Sequence, residues 1–168
     1  MAAVATRKRS SSVFEKRTYG VMHPIMVAAV VRPDRPPGIV GIHRTFLLRD
    51  GSCKAGVEPN KMSLGPVGGG GVPLAAPGAK IAVSEGIETG LSFMQATGTP
   101  TWAALSAGGI KKLLLRPNAR EVLIAADADP AGISAARIAA QRWYAEGRKV
   151  RIVEPPERLD FNDLARAS

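Results

Sequence analysis

The sequence predicts an α/β protein: a parallel sheet with helices on both faces, preceded by a small lobe containing a β-hairpin. Three observations carry this. From Lys80 onward, short apolar runs of strand formers alternate with segments of helical spacing, the pattern of parallel strands joined by crossover helices. Before Lys80, two runs rich in β-branched residues are separated by Arg32-Pro33-Asp34-Arg35-Pro36-Pro37-Gly38, which reads as a turn between antiparallel strands. The composition, 45% hydrophobic but only 5% aromatic with 18 glycines, suits small aliphatic side chains packed between layers. At 168 residues the chain has room for one buried core with a smaller lobe, and little for two independent cores.

The elements follow in order. Residues 1–19, with Arg7-Lys8-Arg9 and three serines, lack apolar periodicity and are expected to form a basic flexible arm. Residues 20–78 form the expected small lobe. Ile25 to Val31 is its first strand, and Gly38 to Leu48 its second, closed by Asp50-Gly51. Gly65-Pro66-Val67-Gly68-Gly69-Gly70-Gly71 reads as a loop or linker. It is not a phosphate loop, since no Gly-Lys-Ser/Thr follows it and no helix opens after it.

Residues 79–168 form the expected α/β domain. Lys80 to Ser84 is a strand. Glu88 to Thr97 is a helix with Leu91, Met94 and Gln95 at helical spacing, stopped by Gly98. Thr101 to Ser106 is a strand, Ile110 to Leu115 a short helix and Glu121 to Ala126 a strand. A long helix opens at Pro130 and runs to about Glu146, with Ala135, Ala139, Arg142 and Trp143 spaced by its turns. Lys149 to Val153 is the last strand. In such sheets ligands bind at the carboxyl ends of the strands.

Lys and Arg number 23 against 14 Asp and Glu, a formal charge of +9, which favours polyanions such as nucleic acid; solubility alone is the plainer explanation. Cys53 is the only cysteine, so an intrachain disulfide is excluded and no structural zinc is expected. No apolar run approaches the roughly 18 residues of a membrane span, nor does the start resemble a signal peptide. The expected location is the cytoplasm, with no membrane partner.

Chemistry concentrates in three carboxylates. Glu85 directly follows one strand; Asp127 follows another, with Asp129 two residues later at the mouth of the long helix. All three should emerge at one edge of the sheet. Magnesium takes oxygen ligands, keeps several waters and is completed by substrate phosphates, so such an edge suits it. The ordinary alternative is a helix cap, with Asp129 serving the helix that starts at Pro130. Glu88, in the first turn of its helix, is explained by the helix dipole and is left out of the catalytic set. His23 and His43 lack partners at metal-ligand spacing, and Trp102 and Trp143 are expected in the core. Lys61 and Arg44 are candidates for binding nucleic-acid or nucleotide phosphates, with a solvated lysine and a strand-face arginine as the alternatives.

The segments Ser84-Glu85-Gly86-Ile87-Glu88-Thr89 and Ala126-Asp127-Ala128-Asp129-Pro130-Ala131-Gly132 resemble the two signatures of the Toprim superfamily, a Rossmann-like fold shared by topoisomerases and bacterial-type primases. Leu159-Asp160-Phe161-Asn162-Asp163-Leu164 is similar to the acidic motif closing the Toprim region of primases and of primase-like phage and plasmid proteins. Asn60-Lys61-Met62-Ser63-Leu64-Gly65-Pro66 is similar to the lysine-bearing segment ahead of it. By resemblance, Glu85 is the acid/base or metal-proximal residue, Asp127 and Asp129 are the principal ligands of Mg2+ (or Mn2+), and Asp160 is a further ligand, with Asp163 beside it. The chain departs from the family in carrying Asp-Phe-Asn-Asp where bacterial primases have an aspartate pair around a proline.

The resemblance implies a primase-like nucleotidyltransferase that makes short RNA primers from nucleoside triphosphates on single-stranded DNA, with a replicative helicase as a partner in trans. A topoisomerase would need a tyrosine in a supported domain, and only Tyr19 and Tyr144 are present. Two alternatives stay open: a Toprim nuclease, because the same metal site can direct water at a phosphodiester, and a non-catalytic nucleic-acid-binding remnant of a mobile-element primase. The second has weight because the zinc module and helicase of related primases have no counterpart in this sequence.

Overall fold

A computed structural model describes residues 22–35, 38–155, 161 and 163; the basic arm lies outside them. Two sheets are present among the described residues. In the first, β1 (Ile25–Val31) and β2 (Ile39–Phe46) pair antiparallel, as the turn between their apolar runs predicts. A third strand, β3 (Lys61–Leu64), pairs antiparallel with β2. Lys-Met-Ser-Leu is mostly exposed, so the sequence carries no apolar alternation there to announce a strand. Backbone pairing, not burial, makes this one.

The second sheet has five strands in the order β4-β6-β5-β7-β8: β4 (Val72–Pro73), β5 (Lys80–Ser84), β6 (Thr101–Ala103), β7 (Glu121–Ala125) and β8 (Lys149–Val153). All its pairings are parallel except β4 with β6. The crossovers are α1 (Ile87–Thr97), α2 (Ala107–Lys112) and α3 (Pro130–Ala145). The molecule is thus a mostly parallel α/β sheet preceded by a three-stranded antiparallel lobe.

Helices cover both faces of the larger sheet. On one, Ile81, Val83, Val122 and Ile124 meet Ile110 and Leu113 from around α2, and Ala135, Ala136, Ala139 and Trp143 of α3. The alanines let α3 lie close to the strands, and Trp143, fully buried, fills the far end. On the other face, Ala82, Leu123 and Ala125 pack with Phe93 of α1 and with Phe161, whose rings meet edge to face at 5.4 Å, a favoured aromatic geometry. Trp102 is also buried, as expected of both tryptophans.

Two local readings need correction. α1 buries Ile87, Gly90 and Phe93, whereas Leu91, expected on the apolar stripe, is 45% exposed; the buried stripe includes a glycine, which no hydrophobic pattern registers. β6 ends at Ala103 and α2 begins at Ala107, earlier than the apolar spacing suggests. Ser106 sets that boundary, because its hydroxyl accepts the Gly109 N–H at 2.9 Å, an N-cap worth about 1 kcal/mol.

The glycine-rich stretch is a loop, as its composition predicts, and it is closely packed. Val31 and Gly71 exchange both backbone hydrogen bonds, at 2.9 and 3.1 Å. A Cβ at Gly71 would lie 2.9 Å from Leu113 Cδ1 and 3.0 Å from the Ala103 carbonyl oxygen, so close backbone approach demands glycine. Directly after it, β4 joins the edge of the larger sheet. Val30, Val72, Ile87 and Ala103 then form a core shared by both sheets.

Candidate active site

Parallel strands deliver their following loops to one edge, and β5 and β7 are direct neighbours with Ser84 opposite Ala125. Glu85 and Asp127 therefore leave adjacent strands side by side. Asp129 follows at the start of α3. Residues Glu85, Asp127 and Asp129 line one cleft of about 360 Å3, together with Gly86, Thr89 and Leu105. Lys54 and Lys61 of the smaller lobe line it as well.

Each carboxylate is held differently. Glu85 is half-buried and accepts a hydrogen bond from the Ala107 backbone N–H at the start of α2. Burial pushes its pKa up, the charges of Asp127 and Asp129 push it further, and the Ala107 contact and Lys61 pull it back. This is the mark of carboxylates crowded at one place. Asp127 lies beside Thr89, whose hydroxyl is 3.5 Å from Oδ1, a long contact. Asp129 caps α3, its Oδ1 accepting the Gly132 N–H at 2.6 Å. The cap explanation and the cleft explanation both hold for this one side chain.

The backbone around the cleft is specialised. Leu105 has φ 73°, a left-handed conformation that costs a non-glycine residue free energy, and its N–H donates to the Glu85 carbonyl at 2.8 Å. At Gly132 a Cβ would come within 2.8 Å of the Asp127 carbonyl oxygen and 3.3 Å of Asp129 Oδ1. Only glycine allows the turn from Asp127 to α3 to close this tightly.

Strand alternation divides the candidates of the smaller lobe. Lys61 stands opposite Thr45, and Ser63 opposite His43, so all four side chains face the larger sheet. His43 is buried, its Nδ1 3.0 Å from Ser63 Oγ, and both burial and the charge of Lys61 lower its pKa. Arg44 belongs to the opposite face, across from Val27 and Met62. It is not among the residues of the cleft, because a shift of one residue along a strand reverses the side chain's direction. Among the described residues its buried Nε has no hydrogen-bond partner.

Of the tail motif, Asp160 lies outside the described residues. Phe161 is helical and buried and lines the cleft; Asp163 is helical and exposed and is not among the cleft residues. Spacing arguments missed Lys54, which forms an ion pair with Glu88 of α1 across the two sheets. A lone lysine after Cys53 carries no signal; only tertiary structure brings it to the site. Glu88, set aside on the strength of the helix dipole, also lines the cleft.

Among the described residues, no three carboxylate, imidazole or thiol groups converge as a complete metal cage. Burial raises the Glu85 pKa most and crowding by Asp127 and Asp129 adds to it; that crowding is what a divalent cation offsets, and magnesium needs only one or two protein carboxylates because it keeps its waters. The donor set fits magnesium. No helix among the described residues is long and apolar enough to cross a membrane.

A family model described as the Toprim domain matches residues 80–168. The chain belongs to the Toprim family. A second model, for a domain of unknown function, matches residues 4–74. Comparison with curated protein sequences gives no match. Among solved structures, this Toprim protein is similar to a DNA primase domain from Pseudomonas aeruginosa, with TM-score 0.54, 23% identity, and coverage of 83% of this chain and 46% of that one. It is also similar to the primase fragment of the bacteriophage T7 primase-helicase protein, with TM-score 0.55, 21% identity, and coverage of 85% of this chain and 58% of that one. The Toprim chain thus spans about half the length of the primase structures it resembles. At this identity the likeness establishes a shared fold.

Proposed function

We propose that this Toprim protein carries out primase-type nucleotidyl transfer, joining ribonucleotides into short primers on single-stranded DNA. One observation carries the reading: the acidic edge of Glu85, Asp127 and Asp129 faces Lys54 and Lys61 across a single cleft. A triphosphate and a polynucleotide are anions, and lysines opposite a carboxylate edge give their phosphates a cationic wall. Mg2+ or Mn2+ held by Asp127 and Asp129, with Glu85 alongside and Asp160 as the further ligand the tail motif implies, would screen the phosphates and stabilise the departing oxygen.

The remaining roles belong to the chain's own groups. Glu85, its pKa raised, is suited to take up a proton near its carboxyl, which is the behaviour wanted of an acid/base residue. Ala107 N–H keeps that carboxyl in place. Asp129 fixes the start of α3, so the Asp127 turn is rigid before any ligand arrives. Lys61 and Lys54 orient phosphate groups toward that edge. A replicative helicase acting in trans is the partner this reading implies.

The test is incubation of the protein with single-stranded DNA, labelled ribonucleotides and Mg2+ or Mn2+, beside the Asp127→Ala, Asp129→Ala variant. Metal-dependent short RNA products that vanish in the variant support the proposal. Shortened DNA without RNA products would establish the nuclease alternative instead, and DNA binding without any product the non-catalytic one.

A further inference from the structure

Charge on the larger sheet is sorted by edge. Glu85, Glu88, Asp127, Asp129 and Glu154 follow the carboxyl ends of strands. At the amino ends lie Lys80, Arg120 and Lys149 with one acid, Glu121, among them; the Arg120 N–H donates to the Ala79 carbonyl and the Lys149 N–H to the Arg120 carbonyl, at 2.7 and 2.8 Å. Arg116 lies on the turn just before them. Strands of this length put the two edges roughly 15 Å apart at about 3.3 Å per residue.

Several cations on that side have local explanations. Lys111 and Lys112 sit in the last turn of α2, where the helix dipole favours them. Arg142 donates to the Leu113 carbonyl at 2.7 Å. Arg148 donates to Glu146 and to the carbonyls of Arg116 and Ala119, so it holds the turn, and Lys80 lies 3.7 Å from Glu121. Arg116, Arg120 and Lys149 are different: all three are exposed, and among the described residues none forms an ion pair. Three exposed like charges thus gather at one edge, Arg116 on a turn held by Arg148, while the acid there, Glu121, stands opposite Lys149 in the sheet and lies 3.7 Å from Lys80.

We propose that Arg116, Arg120 and Lys149 form a second contact surface for the sugar–phosphate backbone of single-stranded DNA, on the edge of the sheet opposite the acidic cleft. This rests on the reading of the cleft as a nucleic-acid site. A strand long enough to leave the cleft and pass around the sheet gains phosphate contacts there; a short one does not. Such contacts add affinity and salt dependence without sequence preference.

Binding of two single-stranded DNA probes, about 6 and about 30 nucleotides long, is measured against salt for the wild type and for Arg116→Ser, Arg120→Ser, Lys149→Ser. Each phosphate contact on a single strand contributes about 0.7 to the slope of log affinity against log salt, so the long-probe slope should fall by about 2 while the short probe is unaffected. The charge-preserving Arg116→Lys, Arg120→Lys, Lys149→Arg variant should keep the wild-type slope, which separates lost charge from a damaged fold. An unchanged long-probe slope overturns the proposal. So does an equal fall in the Arg35→Ser, Arg49→Ser, Arg137→Ser control, which would assign the effect to net charge alone. A Lys54→Ser, Lys61→Ser variant should weaken both probes. Failure of the wild type to bind either one would remove the cleft reading and this surface with it, whereas loss confined to the cleft variant removes the surface only.

Discussion

Asp129 accepts the N–H of Gly132 at 2.6 Å, and Gly132 has no room for a Cβ against the carbonyl of Asp127. Helix cap and acidic pair are therefore one construction. Gly132→Ala should push the Asp127 turn outward, at a cost of about 1–3 kcal/mol as for other overpacked sites. Magnesium affinity should drop more than tenfold. Denaturant melts and a metal titration check the two effects separately; a variant with lower stability but intact metal affinity would show that the turn does not position the ligands.

Magnesium should stabilise the wild type against heat and leave Asp127→Ala, Asp129→Ala unmoved. At a metal concentration about a hundred times Kd the gain would be about 2.7 kcal/mol. The raised Glu85 pKa gives the effect a pH dependence. Its carboxyl holds a proton above the ordinary carboxylate range, metal binding must displace that proton, and so the affinity should rise with pH until Glu85 is ionised. Thermal shifts over a pH series test this, and a pH-independent shift would remove Glu85 from the metal's surroundings.

His43 predicts a stability loss on mild acidification. Its folded pKa is lowered below the ordinary 6.5, so between the two values the unfolded chain binds more protons. Stability should be fully present above about pH 6.5 and decline as pH falls toward the folded value. His43→Gln keeps a hydrogen-bonding group beside Ser63 and should flatten this limb. Chemical denaturation at pH 5 to 8 checks it, and an equally steep limb in the variant would assign the loss to other groups.

Lys54 is shared between Glu88 and the cleft. Because the pair is partly exposed, breaking it should cost under about 1 kcal/mol of stability. Its effect on ligands should have opposite signs for the two partners: Glu88→Gln releases Lys54 and tightens triphosphate binding, whereas Lys54→Ala weakens it. Equilibrium binding of a triphosphate to both variants decides the matter.

The strands and crossover helices were legible because each has its own signal. Lys80–Ser84 and Lys149–Val153 are short runs bounded by breakers, and Pro130 and Gly98 mark helix ends that the structure shows. The edge shared by Glu85, Asp127 and Asp129 was legible too, since parallel strands fix where their following residues emerge. Contacts made by tertiary structure alone were not. β3 lacks apolar alternation; Lys54 reaches the cleft only through the packing of the two sheets; and Arg44 and Lys61, equal candidates as isolated cations, are separated by strand pairing that the sequence does not reveal. The glycines announced a loop but not its packing, because flexibility and close approach call for the same residue.

The paired backbone of Val31 and Gly71, with the apolar cluster of Val30, Val72, Ile87 and Ala103 beneath it, makes the cationic wall and the carboxylate edge parts of one mechanical body. Neither can swing away from the other without breaking that seam. Melting should therefore be a single cooperative event, and a chain divided between Gly65 and Gly71 should yield two fragments that fold only in each other's company.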